Sequence, residues 1–215
     1  MGVAAALAMM AGALSLYDAT DNMIGLQFRV GQRQALSVQL VTAVPASTRP
    51  VFASLPGVTN VELVRVVPVR LRHMGQSRTV GLTALQRDGK LHRLVDVDGQ
   101  IHAIPPAGIV ISRKVADILA IHTGDTLDMD LLERGTTRRV VVTALLNELM
   151  SPNAYMDLAA TGSLMGDGDL INGAYLRLDG PPRSELFEQL RAMPLVAGVT
   201  SRTAMVEQFD RMMAR

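Results

Sequence analysis

The chain has 215 residues, 48% of them hydrophobic and 19% charged, enough for one compact domain or two small ones, and a folded rather than disordered composition. The 21 Lys plus Arg against 20 Asp plus Glu leave a net charge of +1 with no clustered basic stretch, so there is no electrostatic footprint for nucleic acid. The absence of cysteine excludes disulfides, thiol catalysis and thiolate metal sites. With no tryptophan and 3% aromatics, the core must come from Val, Leu, Ala, Ile and the 13 Met.

Gly2 to Leu16 carries no charge, and the sequence turns polar at Tyr17 to Asn22. A spanning helix needs roughly 20 apolar residues, so the run is short by about a turn. Three readings stand: the end of a truncated membrane helix with Val3, Leu7, Met10 and Leu14 in lipid, a signal-like segment, or a buried helix. The first is favoured, because no positive residues precede the run and it has no polar face.

Leu36, Val38 and Leu40 then alternate as in a strand that Pro45 ends. A helix is expected over Ser47 to Leu55, capped by Ser47 or Thr48 with Pro50 in its first turn, and Leu55-Pro56-Gly57 stops it. Val58 to Leu71 is Val-rich and extended. The same order recurs late in the chain. Ala174, Leu176 and Leu178 alternate, Leu186, Phe187 and Leu190 mark a helix face, and Met193-Pro194-x-Val196-x-x-Val199 parallels Leu55-Pro56-x-Val58-x-x-Val61. Two strand-helix-strand repeat units are therefore expected to build one α/β layer, with Val58, Val61, Val196 and Val199 buried.

Between the repeats, Asp88-Gly89 and Asp98-Gly99 read as hairpin turns. Gly108 to Ser112 reads as a buried strand running into a capped helix with Val115, Ala116 and Leu119 on one face. Alternation over Leu127, Met129 and Leu131, then over Val140, Val142 and Ala144, marks a second hairpin around Glu133-Arg134-Gly135. The expected fold class is α+β: a layer of repeat units, a small α/β insertion subdomain, and the truncated N-terminal membrane helix.

Catalytic patterns fail. There is no Gly-x-x-x-x-Gly-Lys, Gly-x-Ser-x-Gly or His-Glu-x-x-His. His73, His92, His102 and His122 share no helical spacing and read as scattered surface histidines. Asp167-Gly168-Asp169 opens like a calcium loop, but Ile171 holds the next ligand position, so a solvated turn is expected. Asp128 and Asp130 read as the exposed face of a strand. Met205, Phe209, Met212 and Met213 form a stripe on a C-terminal helix, read as a packed, partner-facing or membrane-proximal face.

Gly108 to Leu119, followed by His122-Thr123-Gly124-Asp125-Thr126-Leu127, resembles the strand, short helix and Gly-Asp turn of MacB/FtsX-like permeases. The resemblance runs on through Arg138 to Leu146 and Ala154-Tyr155-Met156, and includes Leu55 to Val58 and the lead-in Met23 to Arg33. It implies an extracytoplasmic domain between the first two membrane helices of an ABC-transporter permease, in the bacterial inner membrane. Its division would be 1–26, the end of membrane helix one with its exit segment; 27–72 and 151–202, the halves of a porter-like domain; 73–150, the insertion; and 203–215, the helix toward the next span. It further implies a cytoplasmic ABC ATPase subunit, a second permease copy or paralogue, a periplasmic adaptor, no nucleic acid, no cofactor or metal and no enzymatic activity. The implied cargo is a lipid, lipoprotein or peptide. The alternatives are a freestanding membrane-anchored module binding an apolar ligand and an unrecognised periplasmic hydrolase.

Overall fold

The computed structural model describes Gly31, residues 33–148 and residues 153–201. The chain opens on β1 (Leu36–Pro45), a 3-10 turn (Ala46–Thr48), α1 (Arg49–Ala53) and β2 (Val58–His73). The helix expected over Ser47 to Leu55 is thus a five-residue α1 behind a tight turn. Thr48 does not cap it, because its hydroxyl donates back to Pro45 O at 2.7 Å. Pro50 sits in the first helical turn, where its missing N–H has no partner to lose. Gly57 ends the connection at φ +76°, where a Cβ would stand 2.9 Å from Asp179 Oδ1.

The chain goes on to β3 (Gln76–Leu85), the short β4 (Leu94–Val95) and β5 (Ile101–His102), β6 (Ile109–Ser112) and α2 (Arg113–Leu119). It continues with β7 (Thr126–Leu131), β8 (Thr136–Leu146), β9 (Asn153–Asp157) and α3 (Leu158–Met165). The chain then forms β10 (Leu170–Leu178), α4 (Ser184–Ala192) and β11 (Val196–Ser201). Ser112 caps α2 by accepting from Val115 N, as its position ahead of the apolar face predicts. The hairpin turn between β2 and β3 is Met74-Gly75, both at positive φ, and Asp88-Gly89, expected as a hairpin turn after β3, joins no strand paired to β3. Asp98-Gly99 does turn β4 into β5.

The large sheet runs β11-β1-β10-β2-β3-β9-β6-β8-β7, and β7 pairs again with β2. That last pairing divides it in two. β11-β1-β10-β2 is an open, wholly antiparallel sheet in the split β-α-β order. Phe52 and Leu55 from the α1 region and Leu186 and Leu190 from α4 pack on its Leu36, Val38, Val61, Leu63 and Leu176 face. Val61 is buried, whereas Val58, Val196 and Val199 are half-buried. Val196 and Val199 lie on β11, which among the described residues is an edge strand with a neighbour on one side only.

The six strands β2-β3-β9-β6-β8-β7 close on themselves as a barrel. Inward positions recur every second residue, as the strand pleat requires: Val67, Val69 and Leu71; Val80 and Leu82; Leu127, Met129 and Leu131; Val140 and Val142; Ala154 and Met156. Val115, Ala116 and Leu119 of α2 join the same cluster. The hairpin expected around Glu133-Arg134-Gly135 is therefore part of one closed wall, which two parallel pairings, β3 with β9 and β6 with β8, complete, whereas β4 and β5 pair apart from it as a two-stranded sheet.

One strand serves both halves. β2 pairs with β10 from Val58 to Val64 and with β7 from Val69 to Arg72, which leaves one edge open between. Asn172 fills that gap: its Oδ1 accepts from Val66 N at 2.8 Å and its Nδ2 donates to Val66 O at 2.7 Å. Pro68, lacking an N–H, lies in the same stretch and leaves no orphan donor there.

Candidate functional site at the seam between sheet and barrel

Residues 61, 63, 65, 67, 69 and 71 of β2 share one face by strand parity, and all are apolar except Arg65. Leu63 belongs to the sheet core and Val67 to the barrel core, so Arg65 stands where one core passes into the other. Its side chain is 3% exposed and forms a two-pronged bond to Asp167 at 2.7 and 2.6 Å. Arg134 reaches the same carboxylate at 3.2 Å, and Glu133 lies 3.8 Å from Arg65. The Arg65 guanidinium holds the Asp167 carboxyl below the usual carboxylate range, Arg134 adding to the effect against the cost of burial. The solvated turn expected at Asp167 is therefore wrong: this carboxylate is the counter-ion of a buried arginine, a position a buried charge requires.

On the opposite face of β2, Glu62 is buried as well. Its carboxylate accepts from Lys90 N at 2.6 Å and from Leu91 N at 2.9 and 3.1 Å. Gly89 makes room for this, since a Cβ there would stand 2.9 Å from both Gln86 O and Glu62 Oε2. The Asp88-Gly89 turn thus delivers backbone amides to a carboxylate instead of joining two paired strands. Beside it opens a cleft of about 560 Å3 lined by Arg49, Arg87 and Lys90 and by Asp88, Asp157 and Asp169. Asp157 is occupied twice, by Arg87 at 3.3 Å and by the N–H of Ala160 at the start of α3.

Two further titratable groups are half-buried near the seam. His92 stacks on Tyr175 of β10, ring centroids 5.1 Å apart at 12°, and burial lowers its pKa to about 4, so the ring is neutral at pH 7. The surface-histidine expectation fails for His92, whose Nδ1 is buried without a partner. His73 bonds to Leu119 O and His102 to Asp96. Glu148, at the end of β8, accepts from Tyr155 Oη at 2.8 Å, and burial pushes its carboxyl up to about 7 against the pull of that bond and of Asn153 N.

The seam carboxylates Glu62, Asp157 and Asp167 hold backbone amides or guanidinium groups, an arrangement that fixes geometry. Among the described residues, no group of three or more His, Asp or Glu is placed to hold a metal ion, and no helix is long and apolar enough to cross a membrane. Val3, Leu7, Met10 and Leu14, and likewise Met205, Phe209, Met212 and Met213, lie outside the described residues. Asp128 and Asp130 face outward on β7 as strand parity predicts, Asp130 paired with Arg72 at 2.9 Å.

Neither a family model nor a curated protein matches the chain. The periplasmic region of MacB from Actinobacillus actinomycetemcomitans superposes with a TM-score of 0.56 at 12% identity, covering 85% of this chain and 95% of that one. The chain has the MacB periplasmic fold. The extracellular domain of the noncanonic ABC-type transporter YknZ from Gram-positive bacteria matches at 0.49 and 12% identity over 73% of this chain and 87% of its own. A domain of a putative permease from Porphyromonas gingivalis matches at 0.42 and 13%, over 74% and 82%. Within the MacB-type fold, the residues missed in sequence are Glu62 and Arg65. Their signal was present: three charges, Glu62, Arg65 and Arg70, interrupt the apolar stretch Val61 to Leu71, and Arg65 falls on the opposite parity from the other two, where an exposed strand face would have placed them all on one.

Proposed function

We propose that this chain is the extracytoplasmic domain of an ABC-transporter permease, coupling ATP-driven movement in the membrane to export or extraction of a lipid, lipoprotein or peptide-like cargo. The observation that carries the reading is the superposition on the MacB periplasmic region, which takes in sheet and barrel together and nearly the whole of that domain. The partners in this reading are a cytoplasmic ABC ATPase subunit, a second permease copy or paralogue and a periplasmic adaptor, with the domain outside the bacterial inner membrane. Residues 1–26 are read as the end of a membrane helix and 203–215 as the helix toward the next span.

The two strand-helix-strand segments are proposed as repeat units of a porter-like layer, supported by their shared helix-covered core. The insertion of 73–150 is supported in outline by its separate core. Because Ala154, Met156 and Met165 pack in that core, its C-terminal limit is better set near residue 165. The role proposed is mechanical, consistent with seam carboxylates that hold backbone in place. The test is a flexible Gly/Ser insertion after Arg215 in the parent permease, which behaves as loose coil. Transport is expected to be lost with ATP hydrolysis kept; transport at the unmodified rate would overturn the coupling.

A further inference from the structure

The ribbon after the Asp88-Gly89 turn touches β2, β10, the end of β8 and the segment leading into β1. Glu62 of β2 accepts from its Lys90 and Leu91 amides. Leu91 O in turn accepts from Arg33 N at 2.7 Å, and Arg93 N donates to Gly31 O at 2.8 Å. These two bonds make a short antiparallel ladder with the segment leading into β1. Between them, His92 lies flat on Tyr175 of β10. Further on, Leu94 and Val95 are buried, and Val97 N donates to Asn147 O just past the end of β8. Among the described residues, the lead-in segment makes one backbone bond to the sheet before β1 begins, from Ala35 N to Leu176 O.

The geometry points to Lys90–Val97 as a clamp that joins the lead-in segment directly to the barrel, so that displacement of residue 31 reaches β8 without first deforming the open sheet. This deepens the proposed function and rests on it in one respect, that residues before 31 run to the membrane. The clamp works closed. Glu62 is its anchor, a positioning residue: with its carboxylate in place the two amides and the ladder beyond them are held. Without that carboxylate the buried amide at 91 and the part-buried one at 90 lose their acceptor, and the ribbon lifts toward water.

The chain is free of cysteine, so an engineered pair reports without interference. A Cβ on Gly31 would lie 3.8 Å from Val95 Cβ, the separation a disulfide needs, and the backbone at 31 is not in the left-handed region. Three proteins are compared, Glu62→Ala, which removes the acceptor altogether, the pair Gly31→Cys with Val95→Cys, and the triple variant. In the full chain, hydrogen exchange is expected to quicken at least tenfold at residues 90–93 in Glu62→Ala while β7 amides keep their protection, and the oxidised triple variant is expected to regain it. In the parent permease with its ATPase, Glu62→Ala is expected to cut transport per ATP at least tenfold, and oxidation of the triple variant to restore it until reductant is added. Unchanged exchange at 90–93 in Glu62→Ala overturns the clamp whatever the protein's role. Faster exchange with undiminished transport overturns its part in coupling, as does a block of transport by the oxidised pair alone, which would mean that the ribbon must open. A parent protein that moves no cargo with its ATPase overturns the transporter reading, and exchange and cross-linking then still decide the clamp.

Discussion

The barrel and the open sheet are made of the same material, Val, Leu and Ile in alternation, yet they hold their residues very differently. In the barrel, Val69, Leu71, Met129 and Val142 have no exposed surface, because closure leaves each strand a neighbour on both sides. In the sheet, burial is complete for Leu36 and Leu176 in the middle but falls to half along β11, where the ladder ends. The lesson is that closure, rather than composition, separates a rigid unit from one that depends on its covering helices. A domain proposed to transmit force gains from the combination. The barrel can move as a body, while the sheet beside it has one edge and part of one face available to neighbours.

The contrast is most easily broken where the two halves meet. Asp167→Ala would leave the Arg65 guanidinium buried with only Arg134 and a distant Glu133 beside it, and loss of about 3–5 kcal/mol is expected from an unpaired buried charge. Chemical denaturation of the purified chain measures it. Replacing both partners, Arg65→Met with Asp167→Leu, should recover most of the loss, and failure to recover would show that the pair does more than neutralise itself.

Next in size is a matched pair of truncations. Met129→Ala in the closed barrel is expected to cost about 2–5 kcal/mol, since the surrounding wall cannot collapse into the void. Val199→Ala on half-buried β11 should cost about 1 kcal/mol or less. Equal losses in thermal or urea unfolding would erase the distinction between closed and open halves.

Much of this was legible in the sequence, for a physical reason in each case. Alternation exposes which residues face inward, so Leu127-Met129-Leu131 and Val140-Val142 could be read directly, as could the Ser112 cap. Barrel closure could not, because β7 meets β2 across more than fifty residues, and period-2 patterning is identical in an open hairpin and a closed wall. The buried polar residues were hidden for another reason. Glu62, Arg65, Asp167 and His92 are polar by composition, and only their partners, remote in sequence, take them out of water. The turn at Asp88-Gly89 was recognised as a turn, but its purpose lay with a carboxylate on another strand.

A smaller effect tests the gap in β2. Asn172→Ala removes both bonds to Val66, leaving a backbone donor and acceptor that water can reach, so a loss of about 1–2 kcal/mol is expected. Asn172→Asp keeps the acceptor for Val66 N but turns a carboxylate oxygen toward Val66 O, and should recover none of the loss. If both variants unfold like the parent chain, the side chain does not act as the missing piece of strand.

The smallest expected effect is one of pH, and it concerns the barrel end at β8. Burial raises the Glu148 carboxyl from 4.5 to about 7, so the native chain holds a proton there that the unfolded chain has already released. Its contribution to stability is therefore complete below about pH 4.5 and is lost as pH rises through 7, opposite in sign to that of Asp167. The lowered pKa of Asp167 gives stability that is present above 3.8 and disappears only as acid protonates the pair. Glu148→Gln keeps an acceptor for Tyr155 Oη and cannot ionise. Its stability should run flatter than the parent's between pH 4.5 and 7 and exceed it at pH 8, while the acid limb set by Asp167 stays unchanged. The effect is modest because Glu148 is only half-buried and part of its charge remains solvated. Parallel pH profiles for the two proteins across that window would show that Glu148 titrates as an ordinary surface carboxylate, and that the end of β8 is open to water.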